Sequence, residues 1–133
     1  MTRIVLDTNV VSYHRAGRLR LGYARLVEAN RHCITFATAG ELWKGALDRR
    51  WGGVRRAALD LWLHQETILP ASLKVAKIWG TISIGAQRRG RPRPLNDSWI
   101  AACCIESGLP LLTLNVRDFA EFRDHDGLLL LGG

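Results

Sequence analysis

The chain has 133 residues, a 47% hydrophobic fraction and a mean hydropathy of −0.02, which fit one globular domain over 1–133 and argue against a fibrous or disordered chain. Its net charge is +7 with a pI near 10.2, and only Lys44, Lys74 and Lys77 of the nineteen basic residues are lysines, so a polyanion such as nucleic acid is the favoured partner and a merely solvated basic surface the alternative. No apolar run approaches the roughly 18 residues of a membrane span, Asp7 and Asn9 interrupt what a signal peptide would need, and Cys33, Cys103 and Cys104 lack metal-ligand spacing, so reduced thiols in a cytoplasm are expected.

In chain order, "RIVLDTNVV" (3–11) begins with Ile4, Val5 and Leu6, a buried strand that stops at Asp7, with Thr8 and Asn9 read as the turn that leaves it. In 19–30, Leu19, Tyr23, Leu26 and Val27 fall on one face of a short helix. "CITFA" (33–37) is β-branched and aromatic and predicts a second strand. A helix follows over 38–50, stopped by Gly52 and Gly53. Another spans 54–65, with Ala58, Leu61 and Trp62 on one face; a short strand over 67–69 closes at Pro70. The helix over 71–87 carries Val75, Ile78, Trp79 and Ile82. "RRGRPRPLND" (88–97) reads as a loop because of its prolines and glycine. Asn96 is expected to cap a helix over 97–107 that Gly108 ends, and 109–115 and 128–131 supply the last two strands. Unbroken apolar strands imply that helices cover both sheet faces. Strand–helix alternation then predicts an α/β fold, a three-layer α/β/α sandwich around a mostly parallel five-stranded sheet.

In such a sheet the carboxyl ends of the strands share one edge, where α/β proteins place their sites. Asp7 follows the first strand, Glu41 lies in the helix after the second, and Asp97 opens the helix before the fourth. Thr113, Asn115 and Asp118 lie at or just after the end of the fourth. Each has a structural alternative. Thr38 to Glu41 matches a capping box, Asp97 complements a helix dipole, and Asp7, Asn115 and Asp118 can organise turns. Yet two carboxylates about 4 Å apart repel by roughly 4 kcal/mol at an effective dielectric of 20. The cluster must therefore hold a proton or bind a cation. With no His or Cys among these residues, the oxygen ligands favour Mg²⁺ or Mn²⁺ over zinc.

The segments "IVLDTNVV", "ATAGELWKGA", "LNDSWIAA" and "LLTLNVRDF", in this order and spacing, resemble the four signature segments of PIN-domain ribonucleases, and among them the VapC-like toxins of type II toxin–antitoxin pairs. The resemblance covers essentially the whole chain. It implies Mg²⁺- or Mn²⁺-dependent cleavage of RNA, a homodimer and a small cognate antitoxin protein. By the same resemblance Asp7, Glu41 and Asp97 are the metal-binding acids and Asn9 a polar residue supporting the first. Asn115 stands where some PIN domains have an acid. Asp118 is the nearest carboxylate and would reach the metal directly or through water.

The expected chemistry is hydrolysis of an RNA phosphodiester on one or two metal ions, with Asp7, Glu41, Asp97 and Asp118 as the catalytic acids. Arg15, Arg18 and Arg20 after the Asp7 turn, and Arg88, Arg89, Arg91 and Arg93 in the loop feeding Asp97, are candidate phosphate contacts, or simply solvated residues. Two competing readings are a phosphatase of the haloacid-dehalogenase type and a non-catalytic RNA-binding domain of the same fold. The first would resemble this chain better with an acid in place of Asn9 and a lysine after Lys77. The second leaves unexplained why acids would face RNA without a metal.

Overall fold

In a computed structural model, residues 3–132 are described. Strand β1 (Arg3–Leu6) leads into helix α1 (Thr8–Arg15) and helix α2 (Leu21–Ala29). Strand β2 (Arg31–Thr35), helices α3 (Phe36–Asp48) and α4 (Gly53–Gln65), strand β3 (Ile68–Leu69) and helix α5 (Leu73–Arg88) follow. Helix α6 (Leu95–Ser107), strand β4 (Leu111–Leu112), helix α7 (Val116–Asp126) and strand β5 (Leu130–Leu131) complete the order.

All neighbouring strands pair in parallel, in the order β3-β2-β1-β4-β5. The register sets Val5 beside Cys33 on one flank and beside Leu111 on the other. Alternation along each strand then sorts the core into two layers. Val5, Cys33 and Leu111 pack with Val75, Ile100, Phe119 and Phe122 from α5, α6 and α7. Ile4, Leu6, Ile34 and Leu112 pack with Val10, Val11 and Val27 from α1 and α2. Both faces are covered, which is why the strands carry no polar alternation.

The chain leaves β1 in both directions across the sheet, first to β2 and β3, later to β4 and β5. The carboxyl ends of β1 and β4 therefore flank a topological switch point, where the outgoing connections diverge and leave a crevice.

Several expected boundaries shift. Thr8 and Asn9 are not a turn but the first residues of α1, because the Asp7 carboxylate caps that helix by accepting the Thr8 amide at 2.8 Å. The second strand ends at Thr35 rather than at residue 37. Thr35 is the N-cap of α3 and its hydroxyl accepts the Thr38 amide at 3.2 Å, so Thr38 lies inside the helix and the expected capping box with Glu41 does not form. Gly52 and Gly53 begin α4 instead of ending α3; the left-handed residue after α3 is Arg50, at φ 55°. Helix α6 starts at Leu95, preceded by Pro94 rather than capped by Asn96, and the Pro94 carbonyl accepts the Ser98 amide. The fourth strand is confined to Leu111–Leu112, and the fifth to Leu130–Leu131. Helix α7 falls where no helix is expected: Phe119 and Phe122 are its two buried residues and anchor it at i, i+3.

The three thiols are free and buried. Burial pushes Cys33 up to about 11 and Cys103 up to about 12, so neither is a ready nucleophile. Trp79 stacks on Trp99 at 4.7 Å, with Phe36 edge-on to Trp99, a packing role for these rings. No helix among the described residues is long and apolar enough to cross a membrane.

Candidate active site

Asp7 is buried at the switch point, only 6% exposed. Its backbone amide donates to the Leu112 carbonyl at 3.0 Å, tying the end of β1 to the end of β4. Its side chain is held from both sides. Oδ1 accepts the Thr8 amide at 2.8 Å, and Oδ2 accepts the Thr113 hydroxyl at 2.8 Å. Thr113 is itself fixed, because its oxygen also accepts the Asn115 amide at 3.0 Å. A carboxylate offers about four lone-pair positions, so two remain on Asp7 for another ligand.

Glu41 projects from the second turn of α3, and its Oε1 accepts the Thr8 hydroxyl at 2.8 Å. That hydroxyl also lies 3.0 Å from Thr38 Oγ1. Its single hydrogen is used on Glu41, so Thr38 is the donor in the second contact. The sequence reads Thr8 as a turn residue and Thr38 as a helix cap, and neither as part of the site. Thr8 sits inside the "DTN" signature, and its pairing with Glu41 explains why a hydroxyl belongs there.

Asp97 opens α6 and Asp118 lies in the first turn of α7. Electrostatics brings all four acids into one field. Burial raises the Asp7 carboxyl above its ordinary 3.8; the hydrogen bonds from Thr113 and Thr8 oppose this, and the charges of Glu41 and Asp118 add to it. Asp97 is pushed up to about 6, first by burial and then by Asp7, Asp118 and Glu41, with Arg93 opposing. Residues separated by up to 111 positions thus repel one another across a single crevice.

The supporting residues divide. Thr113 touches Asp7, Asn115 touches Thr113 through its backbone amide, and Asn9 stands exposed in the first turn of α1. Of the basic residues, Arg89 is engaged elsewhere: its Nε donates to Glu121 at 2.7 Å and its guanidinium lies 3.9 Å from Asp126, pinning the end of α5 to α7. Arg88, at the end of α5, and Arg91, beyond it, are exposed; Arg93, half-buried, is the one whose charge reaches Asp97.

The family model described as the PIN domain matches residues 4–125. The chain belongs to the PIN-domain family. It is 31% identical over 120 residues to Ribonuclease VapC2 of Haemophilus influenzae, covering 90% of this chain and 91% of that protein. It is 34% identical over 119 residues to Ribonuclease VapC5 of Mycobacterium tuberculosis, covering 87% and 84%. Among solved structures, a chain of VapBC-5 from Mycobacterium tuberculosis, described as a member of the VapBC family of toxin–antitoxin systems, superposes with a TM-score of 0.76 at 25% identity over 100% of both chains. The matched span contains Asp7, Glu41, Asp97 and Asp118, the four acids gathered beside the crevice between β1 and β4.

A hard divalent cation fits this donor set. The groups are oxygens only, their charges oppose one another, and among the described residues no cationic side chain forms an ion pair with Asp7, Glu41, Asp97 or Asp118. No three His, Cys, Asp or Glu side chains among the described residues lie close enough together to hold a metal ion as they stand. An ion bound here would take few protein ligands and keep several waters, as Mg²⁺ commonly does.

Proposed function

We propose that this chain is a metal-dependent endoribonuclease of the VapC type, the toxin partner in a toxin–antitoxin pair. The observation that carries the reading is the gathering of Asp7, Glu41, Asp97 and Asp118 at the switch point, where Asp7 is buried and bonded to Thr8 and Thr113 and Glu41 to Thr8, in a protein whose net charge is +7. Four acids countered only by the charge of Arg93 suit a cation, and a basic protein around them suits a phosphate backbone.

Asp7, Asp97 and Glu41 would hold the ion, Mg²⁺ or Mn²⁺, with Asp118 joining directly or through water. Bound there, it would supply Lewis acidity toward the scissile phosphate and a water of lowered pKa. The chain's own contribution is orientation. Thr113 and the Thr8 amide fix the plane of the Asp7 carboxylate, and the Thr8 hydroxyl points one oxygen of Glu41. Such partners tune a metal site nearly as much as the ligands do. The free carboxylates would also accept a proton from the attacking water. Arg15, Arg18, Arg88, Arg91 and Arg93 would bind phosphates flanking the site, whereas Arg89 acts through its ion pair with Glu121. A small cognate antitoxin protein is the expected partner, in line with the VapBC toxin–antitoxin system whose chain resembles this one, and a second copy of the chain is expected from the sequence resemblance.

Mapping RNA 5′ ends in cells after brief expression tests the reading. Wild-type protein should create new 5′ ends at a small set of sites in single-stranded loops. Asp97→Asn should create none. Identical 5′-end maps for the two would overturn it.

A further inference from the structure

Helices α1 and α3 start at the acidic edge and run away from it. At their far ends, together with α4, they enclose a cleft of about 520 Å³. Four arginines line it: Arg15, Arg18, Arg49 and Arg55. None of the lining side chains is acidic, and none of the four arginines has a carboxylate partner among the described residues. Arg55 lies 4.0 Å over the Trp51 ring, which also lines the cleft, and Arg15 lies 5.7 Å over Trp62. These rings lie against the guanidiniums without neutralising them. Burial, then the like charge of Arg55, pulls Arg15 below its ordinary range, so the two cations are close enough to strain each other.

We propose that this cleft is a subsite for the RNA strand, one that grips a nucleotide two or three positions away from the scissile phosphate; the proposal rests on the ribonuclease reading above. Three features point to a strand of nucleic acid. The first is charge: four unpaired arginines in one concavity call for a polyanion, and a guanidinium fork matches phosphate oxygens in pairs. The second is the flat surface. Unstacked RNA bases settle on aromatic rings and on arginine planes, and the Arg55–Trp51 pair offers both. The third is spacing. Thr8 and Arg15 are two turns apart on α1, and Glu41 and Arg49 just over two turns apart on α3, each about 10–12 Å at a rise of about 1.5 Å per residue. That is about three stacked nucleotides at roughly 3.4 Å each, or fewer of an unstacked strand. The acids and the arginines are thus placed along the same two helices to engage one strand at two points.

The test uses Arg49→Gln with Arg55→Gln, in the full chain, and a labelled single-stranded oligoribonucleotide of mixed sequence with metal chelated. Affinity should fall roughly tenfold or more, since each charged hydrogen bond is substantial. The log–log salt slope should shrink by about 1.4, at about 0.7 per single-strand phosphate contact. Arg55→Lys should keep the slope yet weaken binding, because it keeps the charge and loses the plane. If the double variant melts early, the two single variants carry the measurement separately, each expected to lose about half of that slope. Unchanged affinity and slope would overturn the subsite. So would variants that hold RNA normally but lose an acidic peptide or antitoxin, since the cleft would then belong to a protein partner. Cleavage of the same RNA by wild type with Mg²⁺ is followed alongside: arginine-dependent binding without cleavage upholds the subsite and sinks the ribonuclease reading, whereas cleavage with arginine-independent binding does the reverse.

Discussion

The two ends of helices α1 and α3 carry opposite charge, and neither end neutralises itself. At the sheet edge Asp7, Glu41, Asp97 and Asp118 have no ion-pair partner among the described residues, and only the charge of Arg93 reaches Asp97; two turns away Arg15, Arg18, Arg49 and Arg55 line a cleft with no acid among its lining residues. Arg89 shows what the protein does when a charge serves the fold: it is paired at 2.7 Å with Glu121. Unpaired like charges lower stability, and the proposed cation at one end and phosphates at the other would each supply the complementary charge.

The largest effect should come from the acidic end. Loss of an outer partner of a metal ligand costs about 10–100-fold, so loss of a ligand itself, in Asp97→Asn or Glu41→Gln, should cut the cleavage rate by more than about 100-fold. Neither should destabilise the metal-free protein in thermal melts. Asn relieves repulsion at 97, and the Gln carbonyl can still accept the Thr8 hydroxyl. A Glu41→Gln protein that melts earlier but cleaves normally would return Glu41 to a structural role.

Thr113→Val should come next. It keeps the shape but removes the donor to Asp7 Oδ2, and cleavage or metal affinity should fall by about 10–100-fold. A comparable loss from Asn9→Ala, whose side chain is exposed, would show that the wrong neighbour of Asp7 has been credited.

A smaller effect separates the ends by pH. The folded protein holds the Asp97 proton up to about 6, while an unfolded aspartate releases it near 3.8. Between those values the native state binds more protons, so this group's contribution is favourable below the lower value and is lost as pH rises through the upper one. Without metal, Asp97→Asn should therefore gain on wild type in melting temperature as pH rises from 4 to 7. Saturating Mg²⁺ should shrink that gain. A gain that is flat with pH would mean the acids do not feel one another.

The smallest effect on cleavage belongs to Arg89→Gln. It should lower the melting temperature, because Glu121 and Asp126 lose their partner, and leave RNA affinity as it was. A loss of affinity without a loss of stability would put Arg89 among the phosphate contacts instead.

Much of this was readable before any coordinates. The runs Ile4–Leu6 and Leu111–Leu112 are apolar enough to be strands on sight, and the acid that ends the first is visible as an interruption. Helix α1 was not legible, because its cap is Asp7 itself, the residue the sequence offers as a candidate metal ligand. Helix α7 hides behind its charge, since "VRDFAEFRDHD" shows only two large apolar side chains. Glu41 shows the limit of local pattern. The Thr38–Glu41 spacing is a good capping box, but Thr35, one turn earlier, takes the cap and leaves Glu41 to a residue 33 positions away. The cleft was half legible: Arg15 and Arg18 follow the first signature closely, whereas Arg49, Trp51 and Arg55 join them only through the packing of α3 and α4 against α1.

The central claim is that the acidic edge is a cation site that cuts RNA. The most direct measurement strips wild type and Asp97→Asn with chelator, then follows cleavage of one single-stranded RNA as Mg²⁺ is returned to both. Wild type should be silent until Mg²⁺ is added and then rise to saturation, while Asp97→Asn stays silent throughout. Cleavage by wild type in chelator, or a Mg²⁺ curve shared by the two proteins, would contradict the account.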